Sequence, residues 1–360
     1  METKLLATDT PAQLAAAVEA AAAALAAGEP VALPTETVYG LAADALRPDA
    51  VVKIFAAKER PFFDPLIVHL PDREWLDRLV IIADESRALV EALIARFWPG
   101  PLTLVLPRRA LVPDLVTAGL DTVAVRLPAH PVFRAVLARL GMPLAAPSAN
   151  RFGRISPTTA AHVRSELDGR IPLIVDGGAT EHGLESTIVR IESSGLQILR
   201  AGPITPGQLM LACRENLIET GAPTAERNFR QIVATLEQSP ALRPQAPGQL
   251  QSHYAPRTPL RLLLDLGQPV SISEVAGQPS AQRVGLLGWS RVGGEDYSRF
   301  QQVEWLSETQ DLREAAATLF AKMRRLDEAG LDLILAVPVP EHGLGIAIMD
   351  RLRKAAAEHE

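Results

Sequence analysis

Apolar positions along this chain fall into short runs bounded by proline, glycine and polar clusters, and these runs alternate with longer stretches at helical spacing. That alternation predicts an α/β architecture. Val31-Ala32-Leu33 is too short for a helix and reads as a buried strand, as do the runs at 66–68, 102–106, 171–175 and 188–191. Residues 122–127 alternate instead, so Thr122, Ala124 and Arg126 share one strand face. Helices are expected from Thr10, as N-cap before Pro11, to Gly28, from Asp49 to Arg60, and over Pro131–Leu140. Others are expected from Ser86, as cap, to near Phe97, from Ser156 as a cap ahead of Pro157, and near 206–217.

The pattern weakens beyond residue 217. Prolines at 223, 240, 244, 247, 256 and 259, with one helix-like patch near 229–236, predict a linker. Strands near 260–264, 284–289, 303–306 and 333–337 then alternate with helices over 307–329 and from 344. This spacing predicts a small, mainly parallel α/β domain. The expected organisation is a catalytic domain at 1–217, a linker at 218–259 and a C-terminal domain at 260–360.

Composition narrows the functional classes. The chain has 360 residues, 48% hydrophobic and 22% charged, enough for two cores and typical of globular protein. Its formal charge of −6 gives no global basic footprint for nucleic acid. The single cysteine, Cys213, excludes an intramolecular disulfide and fits a reducing cytoplasm. The histidines have no zinc-site spacing, and the alanine-rich segment at 13–27 is too short to span a bilayer. A cytoplasmic protein without a metal cage or membrane contact is expected.

Candidate chemistry concentrates in polar segments at strand ends. Pro34-Thr35-Glu36-Thr37-Val38-Tyr39-Gly40 leaves the strand at 31–33 with a dense set of donors and acceptors, as expected of a ligand loop. Lys58 and Arg60 end a helix, where dipole compensation is the simpler reading. Arg126 is more telling, because an arginine on a buried strand face needs an anion. Neither G-x-x-x-x-G-K-[ST] nor G-x-G-x-x-G occurs, so a bound nucleotide needs scattered cations and hydroxyls such as Lys58, Arg60, Arg126, Arg200, Ser148 and Ser156.

Seven ordered segments together resemble a known family. They are Pro34 to Gly40, Lys58-x-Arg60-Pro61, Pro65-Leu66-Ile67-Val68-His69, Trp98-Pro99-Gly100-Pro101-Leu102-Thr103, Val125-Arg126, Pro147-Ser148-Ala149-Asn150 with Ser156-Pro157-Thr158, and Glu185-Ser186-Thr187. Their order is similar to that of YrdC-like threonylcarbamoyl-AMP synthases. His253-Tyr254-Ala255-Pro256 and the α/β tail extend the resemblance to the two-domain long form. The resemblance implies a YrdC-like twisted mixed sheet with helices, plus a smaller Rossmann-like C-terminal domain.

It also implies a nucleotidyl transfer in which L-threonine, bicarbonate and ATP, with Mg²⁺, give threonylcarbamoyl-AMP and pyrophosphate. That product serves tRNA modification beside the anticodon through downstream threonylcarbamoyl-transfer proteins, with weak tRNA contact possible. By the resemblance, Thr35 or Thr37, His69, Arg126, Ala146 and Ser186 hold threonine. Lys58, Arg60, Asp64, Thr122, Ser148, Asn150, Ser156, Arg200 and Tyr254 hold ATP, with Lys58, Arg60 and Arg126 the catalytic cations and Mg²⁺ carried mainly by the phosphates. The family commonly has asparagine where this chain has Asp64. The linker bearing Tyr254 is expected to act as a lid. An RNA-binding module of a tRNA-modification complex is the alternative from another class, and a carbamoyl-phosphate-using transferase is a third.

Overall fold

The computed structural model describes residues 2–192, 195–220, 244–263, 283–291 and 296–357. The helix-like patch at 229–236 and the linker residues 221–243 lie outside them. Contacts divide the chain into two units. The first holds residues 1–152, 157–181 and 185–250; the second holds 153–156, 182–184 and 251–360.

The first unit begins with β1 (Lys4–Ala7), α1 (Pro11–Ala26), β2 (Val31–Leu33), β3 (Gly40–Asp44) and α2 (Pro48–Lys58). Next come β4 (Ile67–His69), α3 (Glu74–Leu79), α4 (Asp84–Phe97), β5 (Leu102–Pro107), α5 (Asp114–Thr117), β6 (Thr122–Arg126) and α6 (Pro131–Leu140). It closes with β7 (Leu144–Ala145), α7 (Ala160–Leu167), β8 (Leu173–Asp176), β9 (Thr187–Glu192), β10 (Gly195–Arg200) and α8 (Pro206–Thr220). Among the described residues these ten strands form one sheet in the order β1-β8-β2-β3-β7-β4-β6-β5-β9-β10. Pairing is mixed: β4·β6 and β5·β9 are parallel, while β2·β3, β5·β6 and β9·β10 are antiparallel.

Alternation along the strands decides what each face does. Ala32, Leu41, Val68, Leu104, Val125 and Val189 share a continuous core with apolar residues of α2, α3, α4, α7 and α8. On the opposite face, Val31, Leu33, Ala42, Leu173 and Val175 pack with α1 and α6. That cover spans only part of the sheet. Under β4, β5, β6 and β9 the same face carries a small cluster of Ile67, Val105, Ala124 and Ile188 with Ala246. The two-residue period places His69, Thr103, Thr122, Arg126 and Ser186 on this face too.

Several elements differ from the sequence reading. The loop after β2 returns as the antiparallel strand β3, an element the sequence reading did not assign. Ser86 lies inside α4, whose N-cap is Ala83, because Asp84 and Glu85 already supply the acidic first turn that suits a helix start. Ser156 does not cap a helix: α7 starts at Ala160, with the Thr159 hydroxyl accepting from His162 N at 3.3 Å. The helix-start N–H groups envisaged for phosphate at Ser156 are therefore not there. Thr10 does cap α1, in a reciprocal box with Gln13.

The second unit contains β11 (Leu260–Leu262), β12 (Val284–Gly288), β13 (Gln302–Trp305), α9 (Leu312–Asp327), β14 (Leu333–Ala336) and α10 (Gly345–Ala356). Among the described residues its four strands run parallel, as the alternating pattern predicts, and their order is β11-β14-β12-β13. Among the described residues no helix is long and apolar enough to cross a membrane.

Candidate functional site

The sheet face left open by α1 and α6 organises the first unit's polar groups around three guanidinium groups. Arg126 ends β6 in register with His69 at the end of β4. Its Nη2 lies 2.5 Å from a Glu36 carboxylate oxygen, its Nη1 donates to the Thr37 hydroxyl at 3.1 Å, and its Nε donates to the Gly100 carbonyl at 3.2 Å. Both members of the Arg126–Glu36 pair are buried. Burial raises the affinity of the Glu36 carboxyl for a proton, but Arg126 outweighs it and holds the group below its ordinary value. The backbone of Glu36 and of Ala129 adds a smaller pull in the same direction.

The two loop threonines have different tasks. Thr35 Oγ1 donates to Val38 O at 2.6 Å, accepts from the amides of Thr37 and Val38 at 3.0 and 3.2 Å, and meets Thr37 Oγ1 at 2.8 Å. Its hydrogen-bonding capacity is consumed by the turn. Thr37 instead faces Arg126. His69 packs its ring 5.0 Å from that of Phe133, and burial, reinforced by Arg126, pushes its pKa down to about 3. The imidazole is therefore neutral at physiological pH.

Arg200 reaches the same face through an irregularity. The register of β10 against β9 shifts between Ile198 and Arg200, so Arg200 pairs with Ile188 instead of continuing the alternation. Its Nη2 donates to Ser186 Oγ at 3.0 Å and its Nε to Ser186 O at 3.1 Å. Ser186 Oγ also shares a 2.8 Å hydrogen bond with Thr103. Gly202 permits this arrangement, since a Cβ there would meet the Glu185 carbonyl and the Thr187 amide at 2.5 Å.

The third guanidinium, Arg60, follows the left-handed residue Glu59 that ends α2. It forms a buried ion pair with Asp64 at 2.8 Å and donates to the Pro65 carbonyl at 2.9 Å. Lys58 donates to the carbonyls of Ser148, at 2.6 Å, and Asn150, so its ammonium holds the 148–150 loop. Burial, with Arg60 nearby, lowers the Lys58 pKa. The Asp64 carboxyl moves the other way: burial raises it despite opposing pulls from Arg60, Lys58 and Arg200.

The structure thus brings together Thr37, His69 and Arg126, joins Ser186 to Arg200, and links Lys58 to Ser148 and Asn150. Ala146 is fixed by its amide to Ile67 O at 3.0 Å, and Thr122 opens β6 on the same face as Arg126. Ser156 and Tyr254 are counted with the second unit. There Tyr254, at φ +65°, is buried, stacks 5.6 Å from Phe320 and lies 5.2 Å from the Arg351 guanidinium. Two contributors were missing from the sequence-derived site set. Glu36 was visible as the nearest acid in the loop, and a buried arginine requires such a partner. Thr103 belongs to the Trp98–Thr103 segment, but its link to Ser186 spans 83 positions.

Comparison with known proteins places nearly the whole chain among named relatives. Residues 23–202 match the Sua5/YciO/YrdC family profile, described as "Telomere recombination", and residues 216–357 match one described as "Threonylcarbamoyl-AMP synthase, C-terminal domain". The threonylcarbamoyl-AMP synthase of Bacillus subtilis is 42% identical over 340 residues, covering 93% of this chain and 92% of the relative. That of Pyrococcus abyssi is 38% identical, with 91% of each chain covered. The crystal structure of P. abyssi Sua5 complexed with L-threonine superposes with a TM-score of 0.78 at 36% identity, covering 98% of both chains. With both units matched and full-length relatives at this identity, the chain belongs to the threonylcarbamoyl-AMP synthase family.

Proposed function

We propose that this enzyme makes threonylcarbamoyl-AMP from L-threonine, bicarbonate and ATP on the open sheet face of its first unit. The observation that carries the site is the buried Arg126 guanidinium, held between Glu36 and Thr37 beside a neutral His69. Arg126 receives the α-carboxylate of threonine, and Thr37, rather than the internally bonded Thr35, offers its hydroxyl to the amino acid. Ala146 and Ser186 shape the same pocket.

The nucleotide half comprises Arg60, Lys58, Arg200, Thr122 and the 148–150 loop. The threonine amine adds to the carbon of bicarbonate or CO2, giving a carbamate with loss of water in the bicarbonate case. A carbamate oxygen then attacks the α-phosphorus while the bond to the β-bridging oxygen breaks and pyrophosphate leaves. The cations offset charge on the phosphates, and alignment of the reactants supplies the main acceleration.

Among the described residues no cluster of three metal-ligating side chains occurs. The phosphate half offers one carboxylate, Asp64, among three cations, a donor set unsuited to building a magnesium cage. Mg²⁺ belongs to the nucleotide substrate, and no step here is assigned to it. The product is an activated acyl donor for transfer to tRNA adenosine by separate proteins.

The test is pyrophosphate release from Mg-ATP with threonine and bicarbonate omitted in turn, together with mass detection of the adenylate. Release that needs both co-substrates is the expected result. Release indifferent to threonine would overturn the reading.

A further inference from the structure

The buried carboxylate in the phosphate half is the least explained group in the first unit. Asp64 is fully buried, and its oxygens accept no geometrically sound hydrogen bond; the Arg60 contact at 2.8 Å is a bare ion pair. The groups acting on it are all cations: Lys58 from α2, Arg60 just beyond it and Arg200 from β10. Glu166 of α7 acts on Lys58, and the Lys58 ammonium is already engaged by two carbonyls. A buried carboxylate kept for packing alone would ordinarily have amide or hydroxyl donors on its lone pairs. Asp64 has only the positive charge that a nucleotide's phosphates would seek.

We propose that Asp64 is an internal counter-anion of the nucleotide site, compensating Arg60, Lys58 and Arg200 in the free enzyme and taking up one proton from solvent when phosphates bind. This rests on the phosphate-site reading above. When the phosphates arrive, the same cations turn toward a stronger anion, and a second negative charge beside it in a dry site is unfavourable. Protonation converts the carboxylate to a neutral carboxyl that can donate a hydrogen bond. The raised proton affinity of Asp64 already present in the free enzyme acts in the same direction. Nucleotide affinity therefore depends on pH through this residue, beyond the titration of the nucleotide itself.

The experiment is calorimetric titration of the full-length protein with Mg-α,β-methylene-ATP, which cannot release pyrophosphate. It is run at about pH 6.5 and about pH 8 in buffers of different ionisation enthalpy, for the wild type and Asp64→Asn. Wild type is expected to take up more protons per nucleotide than the variant. Asp64→Asn is expected to bind on the order of tenfold more tightly at the higher pH, with the advantage shrinking at the lower one. Equal proton counts with equal affinities would overturn the inference and leave the nucleotide site standing. No binding by either folded protein would overturn both. If Asp64→Asn does not fold, the wild-type proton count is set against the titration of the free nucleotide. Excess uptake supports the role and a matching count overturns it.

Discussion

Two buried carboxylate–guanidinium pairs lie in the first unit and behave in opposite ways. In the threonine half, Glu36 beside Arg126 is held more acidic than usual; in the phosphate half, Asp64 beside Arg60 is less acidic than usual. Ion-pair distance does not explain this, since the two separations are 2.5 and 2.8 Å and all four side chains are buried. The difference lies in the surroundings. Glu36 is helped by its own backbone and by that of Ala129 as well as by Arg126, which also donates to Thr37 and Gly100. Asp64 faces cations occupied elsewhere, Lys58 by two carbonyls and Arg200 by Ser186 and Pro247. For Glu36 the charge and hydrogen bonding of Arg126, with the nearby backbone, exceed the penalty of burial; for Asp64 the charges of Arg60, Lys58 and Arg200 do not.

The sharpest way to break the comparison is to remove Arg126. Arg126→Ala strands the buried Glu36 carboxylate, and a loss of about 3–5 kcal/mol in unfolding free energy is expected together with loss of threonine-dependent turnover. Arg126→Met combined with Glu36→Gln removes both charges and is expected to recover most of the stability but none of the turnover. Urea unfolding and pyrophosphate release measure the two effects separately. If the double variant is as unstable as Arg126→Ala, the stranded charge is not the cause.

A smaller effect separates the two threonines. Thr35→Val leaves the amides of Thr37 and Val38 without their acceptor, so a loss of about 1–3 kcal/mol in stability is expected. Thr37→Val removes a hydroxyl that meets Arg126 and the proposed substrate, so the main expected change is a rise of about tenfold in KM for threonine. Denaturation midpoints and initial rates on both variants test the division. The reverse pattern would exchange the two roles.

Much of this was legible before the structure. The run at 31–33 reads as a strand because a continuous apolar run suits a sheet covered on both sides, and 102–106 and 188–191 because short, mainly apolar segments bounded by turn residues do. Arg126 stood out because the two-residue period placed it inward. What escaped is what depends on distant pairing. The strands β1 and β7 are only four and two residues long, and their partners β8, and β3 and β4, lie far away in sequence; β10 instead pairs with its neighbour β9. The register shift that sets Arg200 opposite Ile188 leaves no local sign, so the motifs indicate Arg200 without its route to the site. Ser156 misled because Ser-Pro is a good helix start in isolation, whereas Thr159 makes the cap three residues later. The separate assignments of Ser186 and Arg200 to threonine and ATP concealed that their side chains bond to one another.

The smallest expected effect turns on the sign of the two carboxyl shifts. Glu36 binds a proton less readily in the folded state than in the unfolded chain. Its contribution to stability is thus complete above the ordinary glutamate value of 4.5 and disappears as pH falls through the lower folded value. Asp64 binds a proton more readily when folded. Its contribution is complete below the ordinary aspartate value of 3.8 and is lost as pH rises through the higher folded value. Differences in urea midpoint between wild type and Glu36→Gln should therefore shrink on acidification below about pH 4.5. Against Asp64→Asn, the wild type should gain as pH falls through the range just above 3.8. Because each variant lacks only its own titrating group, all other acid-sensitive groups cancel in the difference. Two difference curves with slopes of the same sign would show that Glu36 and Asp64 share one environment, and the contrast between the two halves of the site would be lost.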